Sequence, residues 1–275
     1  MRTLYVTDLD GTLLRSDQKT SEYTNQTINE LVNRGMLFSY ATARAYSTSH
    51  KVTRGLTAAF PVIVYNGAFV RDNDTGNLLL KNFFKKRIAT GLVRELMENN
   101  ISPIVYAFLN GDEKFSYMGE KINSITRDFI DSRKGDRRNR PVADFEELIQ
   151  GDIFYITCID DSEKLSPFFN RYQKDYHCVY QTDIYSHEQW LEIMPKNASK
   201  AVAIEQLQKI LECDRLVVFG DGINDIDMFQ IADEAYAVEN AVPELKKIAT
   251  GIIASNDEDG VARWLHDNFN HQKNL

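Results

Sequence analysis

The sequence predicts an α/β fold, a doubly wound parallel sheet interrupted by an inserted α+β domain. Three observations carry that reading. Short runs such as residues 3–7 (TLYVT) and 216–219 (LVVF) alternate with amphipathic stretches towards both ends of the chain; strands apolar along their length belong to parallel sheets covered on both faces. Between residues 84 and 190 the rhythm changes to strand pairs joined by short turns, the mark of an antiparallel sheet backed by helices. The length, 275 residues, suits one large domain or two modest ones.

Each element has a local reason. The strand at 3–7 is followed by a helix at 25–33, where Ile28, Leu31 and Val32 share helical spacing and Gly35 supplies the stop. A strand at 37–41, a helical stretch at 47–54 and a strand at 62–65 follow. In the insert, 87–98 is helical, and strands at 104–109 and 114–118 turn at Asn110-Gly111-Asp112. A helix at 121–131, a loop at 133–140, a strand at 153–159, a helix at 163–172 and strands at 177–182 and 190–194 complete it. The alternation then resumes with a helix at 198–211, the strand at 216–219 and a helix at 225–231. Strand 235–238, helix 243–249, strand 251–254 and helix 260–269 close the chain. The expected domains are 1–83 with 191–275 for the sheet domain, and 84–190 for the insert.

Composition excludes several classes of function. Apolar residues make up 43% and charged residues 26%, so the chain has enough apolar surface to fold. Lys and Arg number 32 against 40 Asp and Glu, a formal charge of −8, which disfavours nucleic acid and anionic membranes as partners. Asp8 interrupts the first apolar stretch too early for a signal-peptide core, and no run approaches the roughly 20 apolar residues of a membrane span. Cys158, Cys178 and Cys213 are widely spaced, without a CxxC pair, and read as free thiols. The expectation is a cytoplasmic protein, a monomer or a homodimer.

The chemistry concentrates in two places. Asp8-Leu9-Asp10-Gly11-Thr12-Leu13 follows the first strand, where open α/β sheets bind ligands. In extended chain Asp8 and Asp10 can face one site, and Gly11 lets the chain leave sharply. Two adjacent carboxylates must split their protonation or share a cation. The second cluster, Gly220-Asp221-Gly222-Ile223-Asn224-Asp225, again follows an apolar strand, with Asp227 just beyond. It is not a dinucleotide fingerprint, because Asp225 replaces the third glycine and would meet the pyrophosphate with a like charge. It is not an EF-hand either: counting from Asp8, the sixth position is Leu13 rather than glycine. A helix cap accounts for Asn224 and Asp225 but leaves Asp221 unexplained. Acids beside glycines suit a hard, oxygen-seeking cation.

DLDGTL, Ala41-Thr42-Ala43-Arg44, Lys200 and GDGINDIDM at 220–228 together resemble the four motifs of the haloacid dehalogenase (HAD) phosphohydrolases. Tyr65-Asn66-Gly67-Ala68 and Asp259-Gly260-Val261-Ala262 resemble the Cof-type, sugar-phosphate phosphatase subfamily. The resemblance spans both halves of the split sheet domain. It implies a Rossmann-like, HAD-like core with an inserted cap that closes over the site and selects the leaving group. It also implies Mg²⁺-dependent hydrolysis of small phosphomonoesters, with a phosphorylated metabolite such as a sugar phosphate as partner. Asp8 is then the nucleophile and Asp10 the acid and base. Asp8, the Asp10 carbonyl and Asp221 hold the metal, and Leu9, Thr42, Ala43, Lys200 and Asn224 meet phosphate. Gly11, Asp225, Arg44 and Asn66 give support. One departure is Ala43, where the family carries glycine, so that a methyl group crowds the approach. The same residues also serve a phosphotransferase or mutase reading, and a non-catalytic phospho-ligand sensor.

Other residues have plainer readings. Lys200 opens a helix, where the dipole disfavours a cation, and Lys196 competes with it for the same role. The basic run at 133–140, Arg133 to Arg140, reads as a solvated loop. His187 reads as a surface or packing residue, and Trp190 and Trp264 as core or interface aromatics.

Overall fold

The structure, a computed structural model, describes residues 2–182 and 188–269; His187 lies outside them. In chain order the elements are β1 (Thr3–Thr7), α1 (Glu22–Asn33), β2 (Leu37–Tyr40), α2 (Tyr46–Val52), β3 (Pro61–Val64), β4 (Phe69–Asp72) and β5 (Leu78–Lys81). Next come α3 (Lys86–Glu98), β6 (Ile104–Leu109), β7 (Asp112–Met118), α4 (Ser124–Asp131), β8 (Asn139–Val142) and α5 (Phe145–Leu148). β9 (Asp152–Ile159), α6 (Ser162–Tyr172), β10 (His177–Thr182) and β11 (Gln189–Met194) follow. The last are α7 (Lys200–Leu211), β12 (Arg215–Gly220), α8 (Ile226–Ile231), β13 (Glu234–Val238), α9 (Pro243–Ile248), β14 (Gly251–Ile253) and α10 (Gly260–Phe269).

The chain divides into two compact units, residues 1–81 with 198–275, and residues 82–197. The first holds a parallel sheet in the order β14-β13-β12-β1-β2. β1 is paired on both sides, Thr7 lying opposite Phe219 on β12 and Tyr40 on β2. The chain runs outward from β1 in opposite directions, and right-handed crossovers therefore put α1 on one face and α8 and α9 on the other. α1 ends at Gly35 (φ +96°), with the Gly35 and Met36 amides donating to the Val32 and Leu31 carbonyls. β3 differs from expectation. It joins the parallel sheet only through the Ala41–Ile63 bridge and pairs antiparallel with β4 in a separate β3-β4-β5 sheet.

The second unit is a six-stranded sheet, β10-β11-β9-β6-β7-β8, antiparallel except where β8 runs parallel to β7. Ala89, Leu92, Val93 and Leu96 of α3, with Leu165, Phe168 and Tyr172 of α6, pack against Val105, Ile156, Cys158, Leu191 and Ile193. β11 belongs wholly to this unit, since Ile193 lies opposite both Ile156 of β9 and Cys178 of β10. The boundary read at residue 190 thus cuts a strand that its ladder partners hold in the insert. The basic run is also corrected. Asn139–Val142 is an edge strand, where Pro141 is tolerated. The Arg138 guanidinium pairs with Glu113 and Asp136, and Arg140 donates to the Ser116 hydroxyl and the Glu147 carbonyl. Arg133 lies over the Phe129 ring, so these three arginines brace the unit; Lys134 and Arg137 are exposed. Trp190 packs on Phe129, and Trp264 on Tyr5, Phe219 and Tyr236. All three cysteines are free. Among the described residues no helix is long and apolar enough to cross a membrane.

Candidate active site

Three loops leave the carboxyl ends of adjacent strands β12, β1 and β2 of the parallel sheet. Asp8 ends β1 and its amide donates to the Phe219 carbonyl of β12 at 2.9 Å. The chain then turns through Leu9–Leu13, with Asp10 extended (φ −74°, ψ 120°) and Gly11 in the left-handed region at φ +77°. Asp221 follows β12 and Thr42 follows β2. A Cβ on Gly11 would lie 2.3 Å from Asp221 Oδ2, so only glycine lets the first two loops meet this closely.

Lys200 is the electrostatic centre. It opens α7 behind Ser199, whose hydroxyl accepts the Val202 amide. Its ammonium, 1% exposed, donates to Asp8 Oδ1 at 2.6 Å and Asp225 Oδ1 at 2.7 Å. Lys196 instead lies in the second unit and donates to the Lys174 carbonyl. Burial works against the Lys200 charge, but Asp225 and Asp8 outweigh it and hold the ammonium protonated well above its ordinary range. Asp225 is wholly committed to support, because its second oxygen accepts the Asp221 and Gly222 amides, both at 3.0 Å.

The acids are strained by their own company. Asp8, Asp221 and Asp225 each bring one carboxylate oxygen within 4.8 Å of the others. Burial raises Asp8 well above the usual carboxylate range, Lys200 opposes the shift, and Asp225, Asp221 and Asp10 add to it. Asp221 is pushed up to about 7, first by burial and then by Asp225, although the Thr12 hydroxyl donates to its Oδ1 at 2.8 Å. Oxygen-only donors whose mutual repulsion is incompletely neutralised fit a hard divalent cation. Asp8 and Asp221 are the two with capacity to spare.

The Asp10 carboxylate stands outside the acid cluster that Asp8, Asp221 and Asp225 form. It is held by the Arg44 fork, with Nε at 2.8 Å from one oxygen and Nη2 at 2.6 Å from the other. A planar guanidinium matches both carboxylate oxygens at once and fixes the orientation of the Asp10 side chain. Thr42 is buried and its hydroxyl accepts the Arg44 amide at 3.1 Å. The turn Tyr65–Gly67 backs this loop: the Asn66 amide donates to the Thr42 carbonyl and the Tyr65 amide to the Arg44 carbonyl. Ala43 and Asn224 are half-buried beside these groups in sequence, and Leu9 is fully buried. Asp227 accepts the Ala201 amide at the start of α7 and is apart from the acids. Thr12 and Asn240, which donates to the Gly11 carbonyl at 2.7 Å, were not singled out by sequence. Thr12 sits inside a quoted motif, whereas nothing around Asn240 marks it.

The family model described as haloacid dehalogenase-like hydrolase matches residues 5–265. A curated relative, the 5-amino-6-(5-phospho-D-ribitylamino)uracil phosphatase YitU of Bacillus subtilis, is 29% identical over 280 residues, covering 97% of each chain. A second, the phosphatase YwtE of the same organism, named for the same substrate, is 27% identical over 281 residues and covers 94% of this chain and 95% of its own. The crystal structure of TM0651 from Thermotoga maritima superimposes with a TM-score of 0.79 at 25% identity, covering 97% of each chain. With acidic loops at the ends of neighbouring strands and a lysine buried between them, the chain belongs to the haloacid dehalogenase-like hydrolase family and is a phosphatase.

Proposed function

We propose that the protein hydrolyses small phosphomonoesters, sugar phosphates or phosphorylated polyols, through an aspartyl-phosphate on Asp8. The observation that carries this is the Asp8 carboxylate itself. It ends a central strand with one oxygen fixed by a buried ammonium, while Asp225 orients that ammonium from behind. The relative named for 5-amino-6-(5-phospho-D-ribitylamino)uracil supports a phosphorylated polyol as the substrate class.

In the first step an Asp8 oxygen forms a bond to phosphorus as the ester P–O bond breaks, and Asp10 gives the leaving alkoxide its proton. In the second, Asp10 takes a proton from water as that water attacks phosphorus. Inorganic phosphate leaves and the Asp8 carboxylate is restored. Lys200 and the Thr42 hydroxyl hold the non-bridging oxygens, and the Leu9, Ala43 and Asn224 positions complete the phosphate cradle. Arg44 orients Asp10 and Asn66 supports Thr42. Asp8, the Asp10 carbonyl and Asp221 would hold Mg²⁺, which supplies the positive charge that lets a carboxylate approach a phosphate dianion.

The test is phosphate release from p-nitrophenyl phosphate and from a panel of sugar and polyol phosphates. Asp8→Asn should abolish turnover with an unchanged circular dichroism spectrum. Retained turnover in that variant removes Asp8 as nucleophile, and a phosphate moved between hydroxyls without release replaces hydrolysis with mutase chemistry.

A further inference from the structure

The turn between β13 and α9 touches both acidic loops at once. The Asn240 side-chain amide donates to the Gly11 carbonyl at 2.7 Å, and two residues later the Val242 amide donates to the Asp221 carbonyl at 2.8 Å. Asn240 is itself oriented, because its Oδ1 accepts the Asn256 amide at 3.0 Å. Asn256 is 7% exposed, and its side chain donates to the Leu14 carbonyl at 2.9 Å. Leu14 in turn closes the nucleophile loop through its amide to the Leu9 carbonyl. Two asparagines thus hold the loop at two of its carbonyls, and one belongs to the turn that holds Asp221.

This matters because the two loops meet without slack, as the space above Gly11 is filled by the Asp221 carboxylate. A shift of a few tenths of an ångström in either loop changes the separation of the Asp8 and Asp221 oxygens. Mg²⁺ demands near-octahedral oxygen ligands at about 2.0–2.1 Å, so it is sensitive to such a change. We propose that Asn240 and Asn256 are positioning residues that set the spacing of the Asp8 and Asp221 loops for a small divalent cation. The inference rests on the metal-assisted reading given under Proposed function. Neither residue is assigned contact with substrate.

The experiment is calorimetric titration of Mg²⁺ into the metal-free wild-type protein, Asn240→Ala and Asn256→Ala. Urea midpoints without metal, and kcat and KM for p-nitrophenyl phosphate at rising Mg²⁺, accompany it. Asn240 is exposed, so its alanine variant keeps the fold even if Asn256→Ala does not. Asn240→Ala is expected to bind Mg²⁺ about tenfold more weakly, the scale seen when partners behind metal ligands are removed. Its metal-free urea midpoint and its KM should stay at wild-type values, and kcat should recover at high Mg²⁺. Wild-type affinity in Asn240→Ala overturns the inference, since water then replaces the amide without consequence. A metal-free midpoint that falls in step with affinity also overturns it, as general loosening. Absence of Mg²⁺ binding by the wild-type protein removes the metal reading itself, and the inference falls with it.

Discussion

Lys200 carries a charge with almost no access to water, and it is stable there only because Asp8 and Asp225 both accept from it. Removing one member of such a group leaves uncompensated buried charge, which costs about 3–5 kcal/mol. Lys200→Met should therefore lower unfolding free energy by roughly 3 kcal/mol in urea titrations without metal, besides abolishing turnover. A variant as stable as wild type would mean that the two aspartates need no cation between them. Arg44 makes a different point, because its value lies in shape. Arg44→Lys keeps the charge but loses the fork that meets both oxygens of Asp10. If Arg44 positions Asp10, kcat should fall about tenfold or more while KM changes little. A rise in KM with kcat unchanged would instead assign Arg44 to substrate binding.

At the scale of elements, what the sequence revealed and what it hid follow from range. The motifs at Asp8–Leu13 and Gly220–Asp225 were legible because each is a contiguous segment at the end of an apolar strand. The pairing of Asp10 with Arg44, and of Asn240 with Gly11, joins residues 34 and 229 positions apart, and no local pattern reports it. β5 escaped the sequence reading because Leu78 and Leu79 are exposed and show no alternation, and β8 because charges and Pro141 mask a short edge strand. The Tyr65–Gly67 turn shows why local reading also misses strain: Tyr65, Asn66 and Gly67 all have positive φ. A Cβ on Gly67 would lie 2.1 Å from the Ser199 carbonyl oxygen, at the cap of the helix that Lys200 begins. Gly67→Ala should therefore destabilise by about 2 kcal/mol or more and lower kcat by displacing Lys200. A variant with full stability and impaired kcat would place the effect elsewhere than at this contact.

For the whole molecule, the acid cluster makes stability a function of pH and of metal together. Burial, and then Asp225, push Asp221 up to about 7 in the folded protein from an ordinary value of 3.8. Asp8 is shifted in the same direction, by burial first and then by its acidic neighbours against the pull of Lys200. An acid whose folded pKa is raised binds more protons folded than unfolded between those two values. Its contribution to stability is thus greatest below the unfolded value and is lost as pH rises towards 7. A cation held by the ionised acids must displace those protons, so its binding strengthens over the same window. The rise in melting temperature caused by millimolar Mg²⁺ should consequently be small near pH 5.5 and grow steadily to about pH 8. Asp221→Asn should flatten that dependence, since the amide has no proton to give up. It should also raise the metal-free melting temperature near pH 8, where like-charge repulsion is otherwise greatest. Scanning calorimetry with and without Mg²⁺ across this range checks both statements. A thermal shift independent of pH in the wild-type protein would show that Asp8 and Asp221 are already ionised before the cation arrives.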